Sequence, residues 1–391
     1  MDFDFSAEEA AFLSEVEQFL AKNYTPDVME TDGEMFSHIA DTPPKRRFNV
    51  KLGEQGWLGM TWPDNYGGAG RSGIYDFLLT EALSRWGAPQ PGKSVGTVGR
   101  VLIRHGSDKL KREFLPKIIR GELEFCLGYS EPQAGSDAAN MQLRAVRDGD
   151  GWRLNGQKVW SSAAHYADWY WLGARTDPSS KHGGITLFLI DMKHPGLDIR
   201  PIPTIVGDRT NEVFFNDVWV SDDYVVGKVN QGWAYICEAL DLERFAMVPI
   251  GTLEKKVEAL CAYVRAEKRD DRALRLDPTV RRTIAQIVTQ LEVARMLQRK
   301  VVNDALQGDA ASVQASQYKL YMNELSQRVA NWALDIMGPA GTLRRDEKGA
   351  PLNGKFERSY RFTVVNTIGG GTSEVQKNII ARRGLGLPKN F

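Results

Sequence analysis

At 391 residues, 42% hydrophobic and 26% charged, the chain has the make-up of an ordinary globular protein, long enough for about two or three domains. Fifty basic and fifty acidic residues cancel to a formal net charge of zero, so no global field draws in nucleic acid or anionic lipid. Three distant cysteines (Cys126, Cys237, Cys261) with no CxxC pair argue against a disulfide framework or structural zinc, and no apolar run approaches the roughly 18–20 residues that span a bilayer.

Residues up to 122 read as a helical domain. Ser6-Ala7-Glu8-Glu9 is a capping-box signature opening AAFLSEVEQFL, whose apolar positions recur at helical spacing. This acidic, amphipathic start is unlike a secretory signal, and the expected location is the cytoplasm. The glycine-rich stretch Gly67-Gly68-Ala69-Gly70 interrupts the pattern before helical spacing resumes at IYDFLLTEALSRW. Over 123–227 the period changes to two. FCLGYS, WRLNGQKVW, ADWYWLGA, ITLFLIDM and NEVFFNDVWV are β-rich runs separated by turn clusters, which predicts a compact β-barrel or sandwich. From 228 to 391 long helical patterns return, for example RRTIAQIVTQLEVARMLQRKVVNDAL and YKLYMNELSQRVANWALDIMG, in a four-helix-bundle-like domain. The expected fold is α+β and multidomain: helical, then β, then helical.

Several chemistries find no support. The five histidines are scattered, without HExxH or a His/Cys cluster, so no metal site is expected. There is no GxSxG elbow, and the glycine groups at 67–70 and 369–371 match no phosphate loop. The pair Arg281-Arg282 reads as a solvated helix face, with a ligand-phosphate anchor as the alternative.

Glu243 is different. GWAYICEALDLERFAMVPIG reads as a helix beginning near Gly232, and on its wheel Ile236, Leu240, Glu243, Met247 and Ile250 share one stripe roughly 80° wide. No Lys or Arg lies three or four residues away to form the usual surface pair. Burial among apolar groups raises a glutamate pKa toward the range of a general base working at neutral pH. The alternative is a structural glutamate satisfied by hydrogen bonds or by an arginine from another helix. A second pattern joins YSEPQAGSD (129–137) to WSS (160–162): hydroxyls beside an indole can flank a flat heteroaromatic ring. Turn-forming residues beside a core Trp are the alternative.

Taken together, YSEPQAGSD, NGQKVWSSAAHYADWYWLGART, GTSEVQKNIIARRGLGLP and RHGSDKLKREFLPKIIRGE resemble the acyl-CoA dehydrogenase family, in the family's order along nearly the whole chain. The resemblance implies FAD as cofactor and an acyl-CoA substrate, converted to the trans-2-enoyl thioester by loss of an α-proton and a β-hydride. Ser130 and Ser136 match positions that hydrogen-bond the flavin, and Trp160 and Ser162 the pair lying against its ring. Thr372 and Glu374 match positions that help hold FAD. Ser136, Arg244 and a backbone N–H near Gly370 fall on the substrate side. Most members carry the base just before the Gly-Thr of the C-terminal signature, where this chain has Gly370. A branch resembling isovaleryl-CoA dehydrogenase places it instead in a Leu-Asp-Leu-Glu-Arg context, and here Leu240-Asp241-Leu242-Glu243-Arg244 has that form.

Two segments depart from the family. The Arg-x-x-Phe-Gly segment is replaced by RAEKRDDRALRLDPTVRR, and the Gln-x-x-Gly-Gly segment by Asp335-Ile336-Met337-Gly338-Pro339. The implied partners are an electron-transferring flavoprotein as acceptor and further subunits in a homotetramer or heterotetramer. Two other readings stand beside dehydrogenation: an oxygen-using flavin oxidase or monooxygenase on the same fold, and a non-catalytic subunit of a heterotetramer.

Overall fold

The structure is a computed structural model that describes residues 5–29, 40–91, 93–246, 249–306 and 312–388, with only the backbone for 241–246. Among the described residues five helices come first: α1 (Ala7–Asn23), α2 (Pro43–Glu54), α3 (Gly73–Trp86), α4 (Arg100–His105) and α5 (Asp108–Ile119). The capping box at the start of α1 forms, with the Ser6 side chain accepting from Glu9 N and the Glu9 carboxylate accepting from Ser6 N. A π-helical turn over Ser94–Gly99 leads into α4.

Eight strands follow: β1 (Phe125–Gly128), β2 (Arg144–Asp148), β3 (Gly151–Lys158), β4 (Trp169–Arg175), β5 (Ile185–Asp191), β6 (Leu197–Pro203), β7 (Arg209–Ser221) and β8 (Val225–Val226). They form one sheet in the order β6-β7-β3-β2-β4-β5-β8, with β1 parallel beside β4. The five runs read from period-two patterning are β1, β3, β4, β5 and β7. Patterning did not reveal β2 or β6. In β2 only Ala145 is buried, and β6 is an outer strand carrying Pro201 and Pro203, which cannot donate to a ladder.

Helices then return as α6 (Gly232–Ala246), α7 (Gly251–Ala266), α8 (Pro278–Leu306), α9 (Ser312–Met337), α10 (Lys355–Asn366) and α11 (Ser373–Ile379), with a small ribbon of β9 (Lys268–Arg269) and β10 (Arg272–Ala273) between α7 and α8. The fold is therefore helical, sheet, helical. Three buried clusters hold it. One lies inside the sheet around Leu154, Tyr170, Phe188 and Phe215, and another inside the α7–α10 bundle. The third joins the N-terminal helices to the other face of β4 and β5 through Trp171 and Leu187, and takes in Ile236 and Ala239 of α6. So α6 lies where all three parts meet, against β4, β5, the π turn and α9. No helix among the described residues is long and apolar enough to cross a membrane.

Candidate active site

The sequence-predicted site residues fall into two groups. The first belongs to the sheet. Ser130 follows β1, and its carbonyl accepts from Val159 N at 3.0 Å, which sets the YSEP loop directly beside the end of β3. The next residue, Trp160, has φ 62°, a left-handed conformation that bulky side chains rarely adopt, and its indole is 60% exposed. Both neighbours are held by backbone hydrogen bonds, Val159 to Ser130 and Ser161 to Asn211. Ser161 and Ser162 are buried, Asn211 Nδ2 donates to the Ser161 carbonyl at 2.7 Å, and Ser161 N donates to Asn211 O at 2.9 Å. The backbone is held on both sides while a large aromatic ring is turned outward. Ser162 Oγ lies 3.4 Å from Thr210 Oγ1. Ser136, further along the YSEP loop, is exposed.

The second group is the turn after α10. Gly370 and Gly371 have φ of 65° and 94°, where a side chain would be strained. Thr372 caps α11, its hydroxyl accepting from Val375 N at 3.2 Å. Glu374, exposed in that first turn, is held below the usual carboxylate range by backbone N–H donation and the Thr372 hydroxyl. Among the described residues no hydrogen bond links this turn to the sheet group. The bridge is α10, whose Arg358 donates to Val206 O and pairs with Asp208 in the β6–β7 hairpin.

Position 243 lies on α6, one and two helical turns beyond the buried Ala239 and Ile236. The Glu243 and Arg244 side chains, and residue Met247, lie outside the described residues. The expected apolar stripe is shorter than the sequence suggested. Ile250 lies outside this helix and caps the next one. Pro249, which lacks an N–H and is unsuited to a helix interior, stands just before it.

All three acyl-CoA dehydrogenase family models match: the N-terminal domain over 6–122, the middle domain over 126–218 and the C-terminal domain over 230–385. The chain belongs to the acyl-CoA dehydrogenase family. Acyl-CoA dehydrogenase FadE26 of Mycobacterium tuberculosis is 32% identical over 397 residues, covering 100% of this chain and 99% of that protein. Among solved structures, the Tcur3481–Tcur3483 steroid ACAD superposes with TM-score 0.90 at 33% identity, covering both chains fully. The ChsE4–ChsE5 complex from Mycobacterium tuberculosis gives TM-score 0.90 at 32% identity, again over 100% of both chains.

These family members are FAD-dependent oxidoreductases, and the residues present suit a flavin. An outward-facing indole on a fixed backbone, beside a hydroxyl, is a surface on which a flat heteroaromatic ring can rest. What sequence reasoning missed is the support beneath it. Glu131 and Lys158 form an ion pair at 2.8 Å with side chains 4% and 0% exposed. Glu131 also accepts from the backbone N–H groups of Gln142 and Leu143, and Lys158 reaches Tyr129 O at 3.3 Å. Burial pushes the Lys158 pKa down against the pull of Glu131. Each partner sits next to a predicted flavin residue or its neighbour, so the pair fastens the Ser130 loop to the strand that leads into Trp160. Their membership in the two motifs was the available signal; their pairing across 27 residues was not.

Proposed function

We propose that this chain dehydrogenates an acyl-CoA thioester between its α and β carbons, with FAD as cofactor and Glu243 as the base. The observation that carries the reading is Trp160, a large ring held outward on a left-handed backbone whose two neighbours are tied down by backbone hydrogen bonds. Such a cost persists where surroundings over-determine it, commonly at ligand sites. Ser130, Ser136 and Ser162 hold the flavin ring through their hydroxyls, Trp160 lies against it, and Thr372 and Glu374 steady the rest of the cofactor. FAD supplies the acceptor for the β-hydrogen, which leaves as hydride.

The chain supplies the proton chemistry. Glu243, on the helix shared by all three parts, removes the α-proton. The N–H of Gly370 and its neighbours donates to the thioester oxygen, where negative charge develops as that proton leaves. Arg244 and Ser136 contribute to substrate placement. A glycine at 370 can provide an N–H but no base, which suits a division of labour between the turn and α6.

Substrate class and assembly belong to the same proposal. The steroid ACAD and the two-chain complex among the structural relatives favour a bulky acyl group and a heterotetramer, with a homotetramer as the competing arrangement. An electron-transferring flavoprotein is the proposed acceptor, in the cytoplasm. The test is an anaerobic titration of the yellow protein with straight, branched and steroid-side-chain acyl-CoAs. Bleaching by one class names the substrate, and a protein purified with FAD that no member of the panel bleaches overturns the reading. Glu243→Gln keeps FAD and slows bleaching about 10²–10⁴-fold. Reduction at the unmodified rate removes Glu243 from the mechanism.

A further inference from the structure

The turn at Gly369–Gly371 rests on buried side chains that the proposed mechanism does not use. Lys319 of α9, 2% exposed, donates to Gly371 O at 3.0 Å and to Asn366 O at 3.4 Å. Asn323, one helical turn on and 3% exposed, donates to the same Asn366 carbonyl at 2.6 Å. Gln376 of α11 is fully buried, and its Nε2 donates to Gly370 O at 3.3 Å and Gly371 O at 3.1 Å. Its Oε1 has no donor. Turning the amide over would aim that oxygen at two carbonyls, so the orientation is fixed by what it faces.

In a trans peptide the C=O and the following N–H point in opposite directions. Anchoring Gly370 O and Gly371 O inward therefore turns the N–H groups of Gly371 and Thr372 away from α9 and Gln376. Among the described residues the N–H groups of Gly370, Gly371 and Thr372 have no acceptor. We propose that Lys319 and Gln376 are positioning residues, which pin these two carbonyls so that the N–H groups of Gly371 and Thr372, beside that of Gly370, stand ready for the oxygen of a thioester enolate. The proposal rests on the dehydrogenase reading and adds to it the residues that pre-organise the oxyanion donors.

The test compares two ligands on the FAD-loaded protein, followed by flavin absorbance. Acetoacetyl-CoA presents an acidic thioester that binds as an enolate, and CoA presents no thioester carbonyl. Lys319→Met and Gln376→Leu should each weaken acetoacetyl-CoA by about tenfold or more and leave CoA unchanged. Lys319→Gln, which keeps two N–H donors, should recover much of the loss. Gln376→Glu keeps size and fold while setting a carboxylate against the two carbonyls, and must show the same selective loss. FAD content and melting temperature identify any variant that fails to fold, and Gln376→Glu then decides. Unmodified protein that does not prefer acetoacetyl-CoA over CoA overturns the dehydrogenase reading and this proposal with it. A preference that survives in all four variants, or equal weakening of both ligands, overturns the positioning role alone.

Discussion

Lys158 illustrates how a residue can be conspicuous in a motif and still have its role hidden. In sequence it ends a strand, where a lysine reads as solvent-facing, and its partner lies 27 residues earlier, far from any helical or cross-strand spacing. In the fold both charges are enclosed. Lys158→Met leaves the Glu131 carboxylate buried with only the two backbone donors of Gln142 and Leu143. Breaking one side of such a pair costs about 3–5 kcal/mol. Denaturant unfolding should register that loss, and adding Glu131→Gln should return much of it. An unchanged unfolding midpoint in the single variant would show that the pair is not what joins the two loops.

Trp160 argues the opposite way, because its conformation disfavours the fold. A left-handed backbone costs a bulky residue about 1–2 kcal/mol, and the exposed indole recovers little of it by packing. Trp160→Gly should leave the cofactor-free protein as stable as before, or more so, while weakening retention of FAD. Melting curves without FAD, paired with flavin content after gel filtration, separate the two effects. Lower stability with normal flavin content would make Trp160 a packing residue. The motif was legible in the sequence, whereas its strained backbone was not, since nothing in WSS requires a positive φ.

Between elements, the joint of α3 with α7 holds a titrating group of a kind that helical patterns do not reveal. Glu81 of α3 accepts from the N–H groups of Ile250 and Gly251 at 3.2 and 3.1 Å, and from Gln298 of α8. The joint is tight, since a side chain on Gly251 would lie 2.8 Å from Arg85 N. Burial pushes the Glu81 carboxyl from 4.5 up to about 7, with Glu254 adding to the rise and the three donors opposing it. Glu124, beside Asn49 of α2 and near Arg46 and Asp168, is likewise pushed up to about 7 by burial. With folded pKa values above unfolded ones, the native state binds more protons between roughly pH 4.5 and 7. Stability therefore falls as pH rises through that window, by at most about 3.5 kcal/mol per group at 1.36 kcal/mol per pKa unit, and by less where water screens a partly open side chain. Glu81→Gln should flatten part of the slope of melting temperature against pH. A slope unaltered by that change would place the titration elsewhere. The same strength and limit apply to the strands: β-rich runs exposed β1, β3, β4, β5 and β7, but pairing, not composition, defines β2 and β6.

On the scale of the whole molecule, α10 has apolar groups on two faces. Phe356 and Phe362 enter the interior, while Tyr360 and Val364, with Ile368 just beyond, repeat every four residues and are 50%, 49% and 58% exposed. Beside them stands Ile205, 76% exposed, whose carbonyl accepts from Arg361 of the same helix. A surface helix ordinarily has one apolar stripe, and contiguous exposed apolar groups mark association. A single sequence shows that KFERSYRFTVVN is apolar on two sides without showing which side the fold covers, so an assembly face and a core face look alike until the chain is folded. With a net charge of zero, little long-range repulsion opposes association through such a stripe. Val364→Asp places a charge on the outward face and leaves Phe356 and Phe362 untouched. It should lower the mass measured by light scattering after gel filtration without lowering helix content by circular dichroism. Because the stripe runs along α10 into the Gly369–Gly371 turn, dissociation should also release FAD. An assembly of unchanged mass would exclude this face as a subunit contact, and a smaller assembly that keeps its flavin would show that the cofactor is held within one chain.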